Sequence, residues 1–202
     1  MDGPELPLFR GTVEGHRNRF KLRMRSYSDD PKAPIFCEVK RRVDRIVRKV
    51  RVRVERALAE QVVQGEVPLT LADPRLAEFV EAQHSTGALP LVRVRYEREA
   101  YESSAQDPVR MTFDSALSYA PFDPAAPFRL HDGAYQATPL PATIVELKFT
   151  DRCPSWMTRI VDELQLCRES IPKYVLCVQH GLRRGSLGLD PDAAALLRTQ
   201  GE

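Results

Sequence analysis

Cysteine is scarce and scattered. Cys37, Cys153, Cys167 and Cys177 form no C-x-x-C pair and have no histidine at zinc-ligand spacing, which argues against a zinc site and against a disulfide framework. Histidine offers no alternative, because His16, His84, His131 and His180 are spread along the chain and read as surface or loop residues. No apolar run reaches the roughly 20 residues that would cross a bilayer. The start, Met1 to Leu8, has neither the basic opening nor the apolar stretch of a signal peptide. Free thiols and no leader together lead us to expect a cytoplasmic protein, with docking on a membrane partner left open. Aromatic residues make up only 7% of the chain, and only Phe20 and Tyr27 stand near its most basic stretch. A nucleic-acid groove normally adds stacking platforms to its cations, so nucleic acid is not the expected partner.

What is present is charge of one sign in one place. At 202 residues and 43% hydrophobic, the chain is long enough for one domain with a sizeable core. The net charge is only +2, yet residues 10–56 carry sixteen Lys/Arg against six Asp/Glu, leaving an acidic balance elsewhere. Arg19, Lys21, Arg23 and Arg25 alternate with Phe20, Leu22 and Met24, the period of a strand with a basic face. Alternation returns at Glu38 and Lys40, and again at Lys49, Arg51 and Arg53, where Val50, Val52 and Val54 hold the opposite side. Such strands need an anionic partner or water. A solvated sheet face is the plain explanation; repetition over three strands favours converging cations that grip phosphate, with Glu38 and Glu146 as carboxylates for a bridging divalent metal.

Farther along, Glu55–Gln64 reads as a short helix, and Asp73-Pro74 opens a second that stops before Gly87. Leu91–Glu102 and Val109–Phe113 read as strands, joined to Thr143–Phe149 by a proline-rich connection over 120–141 that includes a short hairpin. Pro154-Ser155-Trp156 opens a helix whose Trp156, Ile160, Val161 and Leu164 are expected to lie on the sheet. Lys173–Val178 reads as a last strand. Residues 1–181 are expected to form the domain, and 182–202 a peripheral tail with a helix start at Asp190-Pro191.

Six segments in order carry a family resemblance. They are Arg19 to Tyr27, Phe36 to Lys40, Tyr96 to Tyr101, Val109 to Asp114, Val145 to Phe149 and Ser170 to Tyr174. Together they resemble the motifs of the VTC domain, the polyphosphate polymerase domain of vacuolar transporter chaperone proteins and a branch of the triphosphate tunnel metalloenzymes. The resemblance implies an α+β fold, an antiparallel CYTH-like tunnel barrel with a few flanking helices, which takes ATP or another triphosphate and polyphosphate. It implies that Arg23, Arg25, Lys40, Lys49, Arg98, Arg110, Lys148 and Lys173 serve phosphoryl transfer, with Arg51 beside Lys49 on the phosphate-binding side. Glu146 matches the residue that holds Mn or Mg.

Two departures from the family pattern bear on these expectations. The chain opens at Leu8-Phe9-Arg10, which reads as lying inside the strand that follows the family's first one, so a barrel open along one edge is expected. Pro172 also removes a backbone donor from the last motif. Three functions fit the residues: a metal-dependent polyphosphate polymerase or related inorganic triphosphatase, a polyphosphate- or nucleotide-binding module without turnover, and a basic-faced domain that docks an acidic protein.

Overall fold

The computed structural model describes residues 1–68, 74–103, 108–131, 134–140 and 142–188. The chain runs α1 (Pro7–Val13), β1 (Arg19–Arg25), β2 (Ile35–Val43), β3 (Ile46–Val54), α2 (Arg56–Gln64), α3 (Pro74–Thr86), β4 (Val92–Glu102) and β5 (Arg110–Pro121). It continues with β6 (Gln136–Ala137), β7 (Ile144–Lys148), α4 (Ser155–Glu163) and α5 (Lys173–Arg183). The fold is α+β, but the expected tunnel barrel is not formed. The strands make two separate antiparallel sheets: β1-β2-β3, and β4-β5-β6 with β7 also paired to β5. Among the described residues neither sheet closes on itself or joins the other. Each sheet instead buries one face against its own helices, which removes the need to curl.

In the first sheet, alternation sends Leu22, Cys37, Val39 and Val52 to one side, where they pack with Val62 and Val63 of α2 and Leu76, Phe79 and Val80 of α3. The opposite side carries the cations. Register fixes which of them meet: Arg23 lies across from Glu38, and Glu38 from Arg51. One row farther along, Lys21 faces Lys40 and Lys40 faces Lys49. In the second sheet, Leu117 and Tyr119 of β5 pack with Val175, Val178 and Leu182 of α5 and with Phe9 of α1.

The register of β4 on β5 shifts between Arg95 and Glu97. Arg95 pairs with Ser118 and Glu97 with Ser115, so Ala116 and Leu117 together oppose Tyr96. Ala116 takes a positive φ of 51° at this bulge, an uncommon conformation for a residue with a Cβ. The irregularity therefore falls opposite the tyrosine that reaches the first sheet.

Several local expectations are corrected. Leu8, Phe9 and Arg10 lie in a helix, not a strand, because Pro7 stands in its first turn and the Asp2 carboxylate accepts the free N–H groups of Leu8 (2.9 Å) and Phe9 (2.8 Å). The stretch from Lys173 is also helical. Val175, Val178 and Leu182 recur at helical spacing over a run longer than the six residues read as a strand, and Pro172, without an N–H, precedes its first turn. In α4 it is Met157 that is buried, while Trp156 is 40% and Leu164 63% exposed. The core reaches past residue 181, since Leu182 and Leu187 are buried and Leu187 packs where a Cβ on Gly181 would come within 2.6 Å. Asp73 and the helix start at Asp190-Pro191 lie outside the described residues.

Candidate functional site

The basic face of the first sheet is organised around one buried carboxylate. Glu38 is 1% exposed, yet its side chain lies on the side away from the apolar core. It is enclosed by cations: Arg23 donates to Oε2, Lys49 Nζ stands 3.1 Å and Arg51 Nε 3.5 Å from Oε1, and Arg25 Nε is 3.8 Å from Oε2. Burial pushes the Glu38 carboxyl up, but the guanidinium of Arg23, then Lys49 and Arg25, outweigh it and hold the acid below its ordinary value. Glu38, one of the two carboxylates read as metal candidates, is thus an ion-pair hub that fixes four cations in place.

Lys21 and Lys40 sit one row along and have no salt-bridge partner among the described residues. Burial, with Arg19, Lys40 and Arg23 adding like charge, pulls the Lys21 ammonium down to about 8. Of the three lysines in this row Lys49 has Glu38 as its partner, but Lys21 and Lys40, directly opposed, are electrostatically unfavourable unless an anion lies over them.

A second cluster forms on the other sheet around Asp114, also 1% exposed at its side chain. Arg98 grips it with a forked pair, Nε to Oδ1 at 2.5 Å and Nη2 to Oδ2 at 2.7 Å, while Lys173 Nζ lies 2.7 Å from Oδ2. Burial raises the Asp114 carboxyl, and Arg98 with Lys173 brings it back below the ordinary aspartate value. Helix α5 thereby delivers Lys173 from its first turn to the same side as the β4 and β5 side chains. Glu146 pairs with Lys148 at 3.3 Å and stands 3.7 Å from Arg98, with its side chain 43% exposed. Arg110 lies at the open end of β5, opposite Lys148 and Glu102, with its Nε buried and without a hydrogen-bond partner.

Tyr96 joins the two clusters. Its hydroxyl accepts from Arg25 Nη2 at 3.0 Å, while Arg98 and Lys173 lie over its ring at 5.3 and 5.0 Å from the centroid. Of the residues expected from the sequence, Arg23, Arg25, Lys40, Lys49 and Arg51 come together on the first sheet. Arg98, Arg110, Glu146 and Lys148 come together on the second, with Lys173 reaching them from α5. Tyr96 meets both groups.

Sequence reasoning gave no separate role to Tyr96 or Asp114, and placed Lys21 only within the basic face of its strand. The register places Arg98 directly across from Asp114, a pairing that neither strand encodes alone. Lys21 was legible from its place in the alternation, although only the register shows it facing another lysine. Arg25 also reaches Tyr27, whose hydroxyl accepts from it at 2.9 Å and from Arg51 at 3.3 Å. Burial raises the Tyr27 phenol, but these two guanidinium groups hold it below the ordinary tyrosine value.

Among the described residues no three His, Cys, Asp or Glu side chains group closely enough to hold a metal ion by themselves. None of the described helices is long and apolar enough to cross a membrane. No curated protein matches the chain. The sequence does match the model of the VTC domain over residues 1–180, which spans both sheets, both cation clusters and most of α5. The chain belongs to the VTC domain family.

Proposed function

We propose that the paired clusters bind the phosphates of a triphosphate or of a polyphosphate chain. The observation that carries this reading is the opposed pair Lys21 and Lys40, without an ion-pair partner among the described residues, beside a carboxylate already held by four cations. Glu38 and Asp114 hold the guanidinium groups in fixed orientations before any ligand arrives, so less side-chain freedom is lost on binding. Phosphate oxygens would then be met by Lys40, Lys49, Arg23, Arg25 and Arg51 from one side. Arg98, Arg110, Lys148 and Lys173 would meet them from the other.

Phosphoryl transfer from ATP to a polyphosphate end is the second reading, favoured by a half-exposed Glu146 beside Arg98 and Lys148. The donor set suits a divalent cation that arrives on phosphate oxygens, since Mg and Mn are commonly held by one or two carboxylates plus substrate phosphates. Glu146 would hold it, and when bound the cation would withdraw charge from the phosphate oxygens as a Lewis acid. The chain's own part is to align donor and acceptor phosphates and to stabilise the charge that spreads in transfer, through Arg23, Arg25 and Arg98. Water as acceptor would make the same site an inorganic triphosphatase.

Titration calorimetry with tripolyphosphate and with long-chain polyphosphate tests binding. Affinity should fall steeply with salt, and Lys40→Ala with Lys49→Ala should weaken it by at least about tenfold. Equal affinity in that variant would remove the binding reading and favour docking of an acidic protein. Turnover is tested separately by ADP release and chain growth with ATP and Mn or Mg. Glu146→Gln should abolish both while tripolyphosphate still binds without metal; growth at an unchanged rate would take Glu146 out of the mechanism.

A further inference from the structure

The end of the β2–β3 hairpin carries a feature that phosphate binding does not use. Val43, Ile46 and Val47 are 56%, 75% and 51% exposed and stand together at the tip, where Val43 pairs with Ile46 and Arg42 with Val47. By parity, Val43 and Ile46 continue the side of the sheet that is buried farther down by α2 and α3. Helix α3 stops short of them: its Glu78 takes Arg41 at 3.0 Å and Arg48 at 3.2 Å, and the hairpin projects beyond that clamp. Val47 lies on the opposite side, so the tip is apolar on both faces.

This tip is held, not loose. The turn is only two residues, Asp44 and Arg45, with Asp44 at φ 51°, a conformation that aspartate tolerates better than most residues. Arg42 Nε donates to the Asp44 carbonyl at 2.8 Å, and the Asp44 N–H donates to Asn18 Oδ1 at 3.2 Å. Around the apolar point stand Arg42 and Arg45, with the exposed Arg17 on the adjoining segment and the half-buried Arg19 at the start of β1. Arg45 and Arg17 have no salt-bridge partner among the described residues.

We propose that this hairpin tip docks on an anionic lipid surface, with Val43, Ile46 and Val47 entering the acyl boundary and Arg42 and Arg45 meeting the headgroups. Charge complementarity selects this occupant. A bilayer interface presents apolar chains a few ångströms below a negative layer, matching a small apolar point flanked by Arg17, Arg42 and Arg45 against the single carboxylate of Asp44. A second copy of the chain fits poorly. Three side chains fall far short of the roughly 800 Å² per partner of a stable interface, and a two-fold contact at the tip would set arginine against arginine. The phosphate site is not required for this docking, since its cations lie farther down the sheet.

Vesicle co-sedimentation of the full chain tests the proposal, using phosphatidylcholine alone and phosphatidylcholine mixed with phosphatidylserine. The chain should sediment with the mixed vesicles and not with phosphatidylcholine alone, and high salt should release it. Ile46→Ser with Val47→Ser should lower the partition coefficient by about tenfold, while circular dichroism and the tripolyphosphate titration stay unchanged. Arg42→Gln with Arg45→Gln should lower it by a similar factor. No vesicle binding overturns the proposal, as does binding that survives the serine pair, which would assign the lipid to the basic face. Self-association lost in the serine variant, without vesicle binding, would assign the tip to a second copy.

Discussion

At the level of single residues, Glu38 and Lys21 show the two opposite ways a charge is treated on this sheet. Glu38 is removed from water and over-supplied with partners, so its folded value lies below the ordinary 4.5. Its contribution to stability is present above 4.5 and lost as pH falls through the folded value. Lys21 is under-supplied. Its folded value near 8, against 10.5 when unfolded, means that the charged form is penalised in the folded chain below pH 8, and that this penalty is relieved as pH rises between the two values. A bound polyanion would reverse the shift by supplying the missing countercharge. Polyphosphate binding at pH 8 should therefore take up about half a proton, rising toward one near pH 9, and affinity should fall as pH rises through 8. Calorimetry in buffers of different ionisation enthalpy measures the uptake, and Lys21→Arg, whose guanidinium stays charged, should abolish it. Uptake that persists in Lys21→Arg would place the proton elsewhere.

At the level of elements, the strands were legible where alternation ran long, as were α2 and α3 between β3 and β4, whereas the pairing of the strands was not. The residues from Arg19 to Arg25 and from Lys49 to Val54 announce both their period and their basic face, and strand parity alone placed Lys49 with Arg51. Register is a different kind of information. That Arg23, Glu38 and Arg51 form one row depends on the length of the loop after β1 and on the two-residue turn at Asp44, which no single strand encodes. The helix from Lys173 was misread because six residues of mixed polarity fit either period, and only Leu182 completes the helical one. The helix at Pro7 was hidden for another reason: its start is capped by Asp2 across five intervening residues. Asp2 also accepts from Gly3 N at 3.0 Å and from the Tyr174 hydroxyl at 2.9 Å, so one carboxylate ties α1 to α5. Asp2→Ala should lower unfolding free energy by about 2–3 kcal/mol in denaturant melts, because buried donors lose their acceptor, and Tyr174→Phe by about 1 kcal/mol. Equal losses in the two variants would mean that the phenol, not the helix start, is what Asp2 serves.

At the level of the whole molecule, closure was the property the sequence concealed. Alternating cations look the same on a barrel wall and on an open sheet, and the difference lies in what covers the other side: α2 and α3 on the first sheet, α5 with α1 on the second. Two sheets with separate cores could carry two separate anion sites, but the contacts of Tyr96 argue for one. Its hydroxyl is fixed by Arg25, its ring lies under Arg98 and Lys173, and the bulge in β5 falls directly opposite it. A ligand neutralised at one cluster therefore lies within reach of the other. For a single shared site, long-chain polyphosphate should titrate with one stoichiometric class. Lys40→Ala and Lys148→Ala should each flatten the dependence of log affinity on log salt by about 0.7, the value for one contact to a single-stranded polyanion, and the double variant by about twice that. Independent sites would instead give two binding classes, with each variant erasing one and leaving the slope of the other untouched. Tyr96→Phe separates the alternatives further. It frees the Arg25 guanidinium from its partner on the second sheet while leaving both carboxylate hubs intact, so it should weaken long-chain polyphosphate more than tripolyphosphate if the hydroxyl is what aligns the two clusters.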